Sequence, residues 1–369
     1  MKSLHNHKIH RIFYYFIDEF CAGSLKITDK TASQGELLFN RLSKRYKHLK
    51  KWARRTGTNA FRLYDRDIPE IPLVLDLYDD AVSGALFTRR RRMDGPEPDC
   101  AAPGSGEPEP AENWLSAMKA AASSALNIPE TRIFLKERQR MRSRQDTGAQ
   151  YRKVSGQNFY RDVHEGDLVF RVNLSDYLDS GLFLDARKKR ALIREEAAGK
   201  RVLNLFAYTC SLSVCAAKGG ARQVDSVDLS NTYLSWGRIN FALNGLEAGQ
   251  PGGALNLIRD DVMRFIDQAA KSALRWDIII LDSPGFSNSK KMRGVLDIRR
   301  DHRELIQRCL SLLESGGKLW FSSNVRGLAL QAGDFPDCTV KDFRPDLVDE
   351  DFRGKRIPPC YTLIKSPAH

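Results

Sequence analysis

Hydrophobic positions along the chain change period several times, and each change marks an element. In RLSKRYKHLKKWARR (41–55), Leu42, Tyr46, Leu49 and Trp52 recur at spacings of 4, 3 and 3, which puts them on one face of an amphipathic helix. Short β-like runs follow: FRLYD (61–65), PLVLDLYD (72–79) and GALFTRRRR (84–92). Over 93–113 the periodicity stops. MDGPEPDCAAPGSGEPEPAEN is rich in Pro, Gly, Glu and Ala and predicts a flexible insertion. Helical spacing returns in WLSAMKAAASSALN (114–127).

The later part of the chain alternates strand and helix patterns. RVLNLF (201–206) and QVDSVDL (223–229) read as buried strands flanking the small-residue helix SLSVCAAKGGA (211–221). NTYLSWGRINFALNGL (231–246) is a helix ended by Gly245, and WDIIILD (276–282) is the strongest strand signal. DIRRDHRELIQRCLSLLESGG (297–317) predicts an amphipathic helix that leads into the strand KLWFSS (318–323). Such alternation predicts an α/β fold, a mostly parallel sheet with helices on both faces. The organisation that follows is an N-terminal extension (1–34), a smaller basic α+β unit (35–175) and a Rossmann-like unit (176–369).

Composition adds charge to this picture. The 369 residues are 42% hydrophobic and 28% charged, with 59 Lys+Arg against 46 Asp+Glu, a formal net charge of +13. That excess favours a polyanionic partner. Residues 1–60 hold thirteen of the basic residues and four acids, and 41–55 holds eight basic residues and no acid. A solvated helix face accounts for that stretch as well as a phosphate-binding face does. A second stretch, RIFLKERQRMRSRQDTGAQYRK (132–153), has eight basic residues against Glu137 and Asp146 and tips the reading toward nucleic acid. Lys44, Lys47, Lys50, Lys51, Arg138, Arg140 and Arg142 are the candidate phosphate contacts.

Seven scattered cysteines predict reduced thiols and a cytoplasmic setting. No apolar run approaches the ~20 residues a membrane span needs. The apolar part of the first twenty residues is too short for a signal peptide, and HNHKIH (5–10) lacks the Cys or acidic partners of a metal site.

In a doubly wound sheet, ligands bind beyond the carboxyl ends of the strands. Asn204, Tyr208 and Thr209 follow one strand, Asp228 ends the next, Asp261 follows a third and Asp282 ends a fourth. Asp228 suits an acid that accepts ribose hydroxyls, as in NAD enzymes and in others that bind adenosine. The loop NLFAYTCSLS (204–213) has no glycine, so it lacks the pyrophosphate-binding fingerprint of a dinucleotide site.

NLFAYTCSLSV, VDLSNTYLSWGRINFALNGL, LDSPGFSNSKKM and IRRDHRELI resemble class I S-adenosylmethionine-dependent methyltransferases acting on large-subunit ribosomal RNA, of the RlmK (guanine-N7) type. The resemblance extends from about residue 35 to the end. It implies S-adenosyl-L-methionine as cofactor, ribosomal RNA or an assembling large-subunit particle as partner, and no metal. Phe183, Asp185 and Arg187 would form the approach to the cofactor, and Asn204, Tyr208 and Thr209 would surround its methionine part. Asp228 would hold the ribose and Asp261 the adenine amino group. Asp282 and Phe286 would meet the target base.

Two positions depart from the family pattern. Cys210 stands where the family has glycine, and Ser283 where it has the first proline of Asp-Pro-Pro. A cytosine-C5 methyltransferase is an alternative reading. It would need a cysteine thiolate, which the family pattern puts after KLWF, where this chain has Ser322-Ser323-Asn324. A catalytically weak RNA-binding or ribosome-assembly module on the same fold is the other.

Overall fold

The computed structural model describes residues 28–87, 111–138, 153, 155–287, 295–325 and 327–367. Arg140, Arg142, HNHKIH and most of the 93–113 insertion lie outside the described residues.

The basic helix is twice as long as its apolar spacing predicts. α1 (Asp29–Thr56) starts at an N-cap in which Thr28 accepts from the Thr31 N–H, and stops at Gly57 in the left-handed region (φ 69°). Leu38, Leu42, Leu49, Trp52 and Ala53 form its buried stripe. That stripe packs on the sheet β1 (Ala60–Asp65), β2 (Leu73–Tyr78), β3 (Ala81–Phe87) and β4 (Ile133–Arg138). Neighbours pair in the order β1-β2-β3-β4, antiparallel except for the parallel β3–β4 pair. α2 (Ala111–Leu126) supplies that crossover, so helix replaces the last three residues assigned to the insertion.

A hairpin that the sequence pattern did not announce comes next, β5 (Tyr160–Glu165) and β6 (Leu168–Asn173). After it α3 (Arg187–Glu196) leads into the large sheet. The order of that sheet is β14-β15-β13-β10-β7-β8-β9. Its members are β7 (Arg201–Leu205), β8 (Gln223–Asp228), β9 (Leu255–Arg259), β10 (Trp276–Ser283), β13 (Leu313–Ser323), β14 (Cys338–Asp342) and β15 (Cys360–Lys365). α4 (Ser211–Lys218), α5 (Asn231–Leu243), α6 (Val262–Lys271) and α7 (Ile298–Ser311) connect the parallel strands. A two-residue ribbon, β11 (Phe286–Ser287) with β12 (Leu296–Asp297), follows β10.

β9, β8, β7, β10 and β13 run parallel, whereas β15 pairs antiparallel with β13 and with β14. α7 is shorter than its pattern predicts, because Leu313–Gly317 join β13. Strand order reverses between β7 and β10, which is the switch point where such sheets open a crevice.

The two sheets do not pack independently. Ala60, Tyr78 and Ala81 of the front sheet share one buried cluster with Val163, Phe170, Cys210, Val214 and Phe241. Among the described residues no helix is long and apolar enough to cross a membrane.

Candidate active site

The loop leaving β7 is held in an unusual backbone. Phe206 (φ 57°), Tyr208 (φ 51°) and Cys210 (φ 60°) all occupy the left-handed region, and none is glycine. Each costs roughly 1–2 kcal/mol against an ordinary conformation, so neighbouring structure must over-determine the loop. Ala207 N–H donates to Val227 O at 3.0 Å, and Cys210 N–H donates back to Ala207 O at 2.8 Å. Asp228 completes the clamp by accepting from Tyr208 N–H (2.9 Å) and Ser230 N–H (2.8 Å). Burial pushes the Asp228 carboxyl above its usual range, and these N–H donors oppose the shift.

Beneath the loop, Asn204 is fully buried and donates to Ser213 Oγ at 2.8 Å. Among the described residues its Oδ1 is a buried acceptor with no hydrogen-bond partner. Thr209, also buried, donates to Gly181 O at 2.6 Å and so ties the loop to the segment before α3. Phe183 lies over Tyr208 with ring centroids 5.4 Å apart, and Tyr208 meets Tyr233 edge-on at 4.5 Å. Phe183 remains 48% exposed, an aromatic surface left open to solvent.

Across the switch point, β10 pairs with β7 so that Ile280 faces Asn204, and Asp282 projects beyond that level. Asp282 Oδ2 accepts from Lys189 Nζ at 3.0 Å, and Oδ1 accepts from Ser322 Oγ at 2.5 Å. Lys189 also donates to Ser322 Oγ at 2.8 Å, which closes a triangle. Burial raises the Asp282 carboxyl, but the Lys189 charge and the two hydrogen bonds outweigh it and bring it below the usual value. Asp185, one turn before Lys189, goes the other way. Burial pushes it up, Arg62 and Lys189 only partly compensate, and Asp282 adds repulsion. Phe286 stands just past Asp282, half-buried, in register with Asp297.

Sequence reasoning missed Lys189 and Ser322. Their only signal was position: a basic run opening α3, and the end of the strand beside β10.

The structure distributes the remaining candidates differently. Asp261 caps α6, accepting from Arg264 N–H at 3.0 Å. Arg187 opens α3. It pairs with Asp349 (3.0 Å) and Asp351 (3.1 Å), donates to Ala60 O (2.7 Å), and its guanidinium lies 5.1 Å from the Trp52 ring centroid. That arrangement ties the front sheet to the segment before β15. Lys44, Lys47, Lys50 and Lys51 are exposed on α1, opposite its buried stripe. Arg138 ends β4, paired with Asp179 and donating to Leu178 O.

Comparison with known proteins agrees with this geometry. A family model described as S-adenosylmethionine-dependent methyltransferase matches residues 111–333. The chain belongs to that family. The chain is 41% identical over 326 residues, 88% of its length and 86% of the relative's, to "Ribosomal RNA large subunit methyltransferase K" of Neisseria meningitidis serogroup B. It is 42% identical over 318 residues to "Ribosomal RNA large subunit methyltransferase K/L" of Pseudomonas fluorescens, covering 86% of this chain but 39% of that protein. Among solved structures, the fold matches SMU.776, a candidate methyltransferase complexed with SAH (TM-score 0.65, 22% identity, 89% of this chain and 81% of that one). It also matches a SAM-dependent methyltransferase from Agrobacterium tumefaciens (TM-score 0.50, 16% identity, 80% and 88%).

The methyltransferase cofactor suits the residues present. An adenosine with an amino-acid end needs an acid for ribose hydroxyls and buried acceptors for a cationic amine. Asp228 and Asn204 Oδ1, which has no partner among the described residues, would supply these chemistries near the carboxyl ends of adjacent strands. The two departures from the methyltransferase pattern are accommodated. Cys210 does adopt the backbone that favours glycine, but its thiol packs against Gly237 of α5, where an added Cβ would meet Sγ at 2.5 Å. Ser283 is buried, and its hydroxyl donates to Pro284 O at 3.1 Å.

Proposed function

We propose that this methyltransferase modifies guanine N7 in large-subunit ribosomal RNA. The observation that carries the reading is the fixed, ionised Asp282 beside Phe286 at the switch point, in a chain 41% identical to a protein named for large-subunit ribosomal RNA. S-adenosylmethionine, when bound, supplies an electrophilic methyl group on a sulfonium. Guanine N7 already carries an in-plane lone pair, so no residue has to remove a proton first. Asp228, Asn204 and the strained β7 loop hold the cofactor, with Phe183 and Asp185 at its approach, Tyr208 and Thr209 shaping the methionine side and Asp261 facing the adenine. Asp282 accepts from guanine N1–H or its exocyclic amine, donors that strengthen as the purine becomes cationic. Phe286 offers a ring to a base drawn out of its stack.

On this reading residues 35–175 form the RNA-facing unit and 176–369 the catalytic one. Lys44, Lys47, Lys50 and Lys51 contact phosphates, as do Arg138, Arg140 and Arg142. Arg187 is better read as a clamp between units than as a cofactor residue, because its partners are Asp349, Asp351 and Ala60 O.

Cytosine-C5 chemistry fits less well. Burial pushes Cys215, Cys309 and Cys360 up to about 12 and raises Cys210 as well, so these thiols stay protonated at neutral pH. Cys360 is the register partner of Ser322 but is buried. Nucleoside mass spectrometry of undermethylated ribosomal RNA treated with the protein tests the proposal. It should yield 7-methylguanosine, and Asp282→Asn should slow its formation by about 10²-fold or more. A 5-methylcytidine product, or none with cofactor bound, would refute it.

A further inference from the structure

We propose that Lys189 is a positioning residue for methyl transfer, which with Ser322 locks the Asp282 carboxylate into one orientation facing the target base. The inference rests on the reading that Asp282 meets that base. Lys189 lies in the first turn of α3, and its ammonium reaches both Asp282 Oδ2 (3.0 Å) and Ser322 Oγ (2.8 Å). Ser322 has one hydroxyl proton and gives it to Asp282 Oδ1 at 2.5 Å. Each carboxylate oxygen therefore has its own donor, and the carboxylate plane cannot rotate without breaking one of them.

A neighbouring ion pair shows what a purely structural bond looks like here. Arg190 and Glu165 are joined at 2.7 and 2.5 Å, with side chains only 2% and 6% exposed, so neither has a face left for a ligand. The Lys189–Asp282 pair is lopsided. Lys189 is 6% exposed but Asp282 is 33% exposed, so the cation lies behind the acid while the acid keeps an open face. Such a carboxylate can still accept an N–H from a base, provided it stays ionised.

Among the described residues, the charged groups around it bear on that state. Lys189 and Arg190 come from α3, and Asp185 from the preceding turn repels Asp282. The Cys360 thiol on β15 is protonated and adds no charge. Arg62 of β1 acts on Asp185.

Single-turnover methylation of ribosomal RNA by the full chain, in a double-mutant cycle, tests the proposal. Lys189→Met should slow transfer by about tenfold or more in the wild-type background. It should add little in the Asp282→Asn background, because Lys189 acts through that carboxylate. Lys189 holds the Asp282 carboxyl low, so its removal must raise that group. Activity needs the ionised form, so the acid limb of the pH–rate profile should move to higher pH, and Lys189→Arg should move it back. Ser322→Ala should move the acid limb the same way by a smaller amount, which keeps the test open if Lys189→Met does not fold. Losses that add fully in the two backgrounds, or an acid limb that stays put, would overturn the inference. The product formed by the wild type reports separately on the base: a coupled cycle with a product other than 7-methylguanosine keeps Lys189 and discards guanine N7.

Discussion

Two basic runs in this chain look alike as sequence and have opposite fates. KRYKHLKK (44–51) on α1 and RKKR (187–190) on α3 are both short, helical and dense in positive charge. On α1, Lys44, Lys47, Lys50 and Lys51 are exposed, and none has a carboxylate partner among the described residues. On α3, Lys189 and Arg190 are buried and Arg187 nearly so, and each reaches an acid far away in sequence: Asp282, Glu165, and Asp349 with Asp351. Charge density alone does not distinguish an exposed basic face from a buried hub. The supply of carboxylates from distant elements does.

Breaking the buried run should have the largest effect on the fold. Arg190→Met strips Glu165 of both its close hydrogen bonds and leaves it buried with Arg187 Nε, 3.8 Å away, as its remaining cation among the described residues, which should cost up to about 3–5 kcal/mol of stability in urea unfolding. Adding Glu165→Leu should recover most of it. A loss below about 1 kcal/mol would mean that Glu165 finds water or another donor.

Asp228→Ala comes next. It removes the acceptor proposed for two ribose hydroxyls, each hydrogen bond to a charged group being worth roughly 1.5–3 kcal/mol. Calorimetric titration with S-adenosylmethionine should show the loss while RNA affinity stays unchanged. Unaltered cofactor affinity would remove Asp228 from the site.

The packing of Cys210 against Gly237 predicts a sign reversal. Gly237→Ala alone places a Cβ about 2.5 Å from Cys210 Sγ and should destabilise by about 1–3 kcal/mol. In a Cys210→Gly background the same change should stabilise by up to about 1 kcal/mol, because alanine is the better helix former and the thiol is gone. Equal effects in both backgrounds would show that the thiol does not set the constraint.

The exposed run should matter least to the fold. Neutralising Lys44, Lys47, Lys50 and Lys51 together should change stability by no more than about 0.5 kcal/mol per site. The log–log salt dependence of RNA binding should flatten by about 0.7–0.9 for each lysine–phosphate pair that the substitutions abolish. Weaker binding with an unchanged salt slope would assign these lysines a role other than phosphate binding.

The periodic elements were legible because their signals are local. Apolar spacing placed α1, WDIIILD and the strands ending at Asp228 and Ser323, and the strand-end rule brought Asn204, Asp228 and Asp282 to one edge of the sheet. The hairpin β5–β6 and the antiparallel strands β14 and β15 went unread; β5 (Tyr160–Glu165) and β14 (Cys338–Asp342) are short, only partly buried and carry few apolar residues.

By itself the sequence determined the helices and strands with strong periodicity, the front-loaded charge and the motif order of the family. Only the tertiary structure decided that Arg187 ties the front sheet to the segment before β15, that Lys189 and Ser322 grip Asp282, and that Gly237 makes room for Cys210. Each of these joins residues on different elements, far apart in sequence, Lys189 to Asp282 and Arg187 to Asp351 among them. Periodicity records how a residue sits on its own element. Which charge faces which across two elements is set by packing, and no local pattern encodes it.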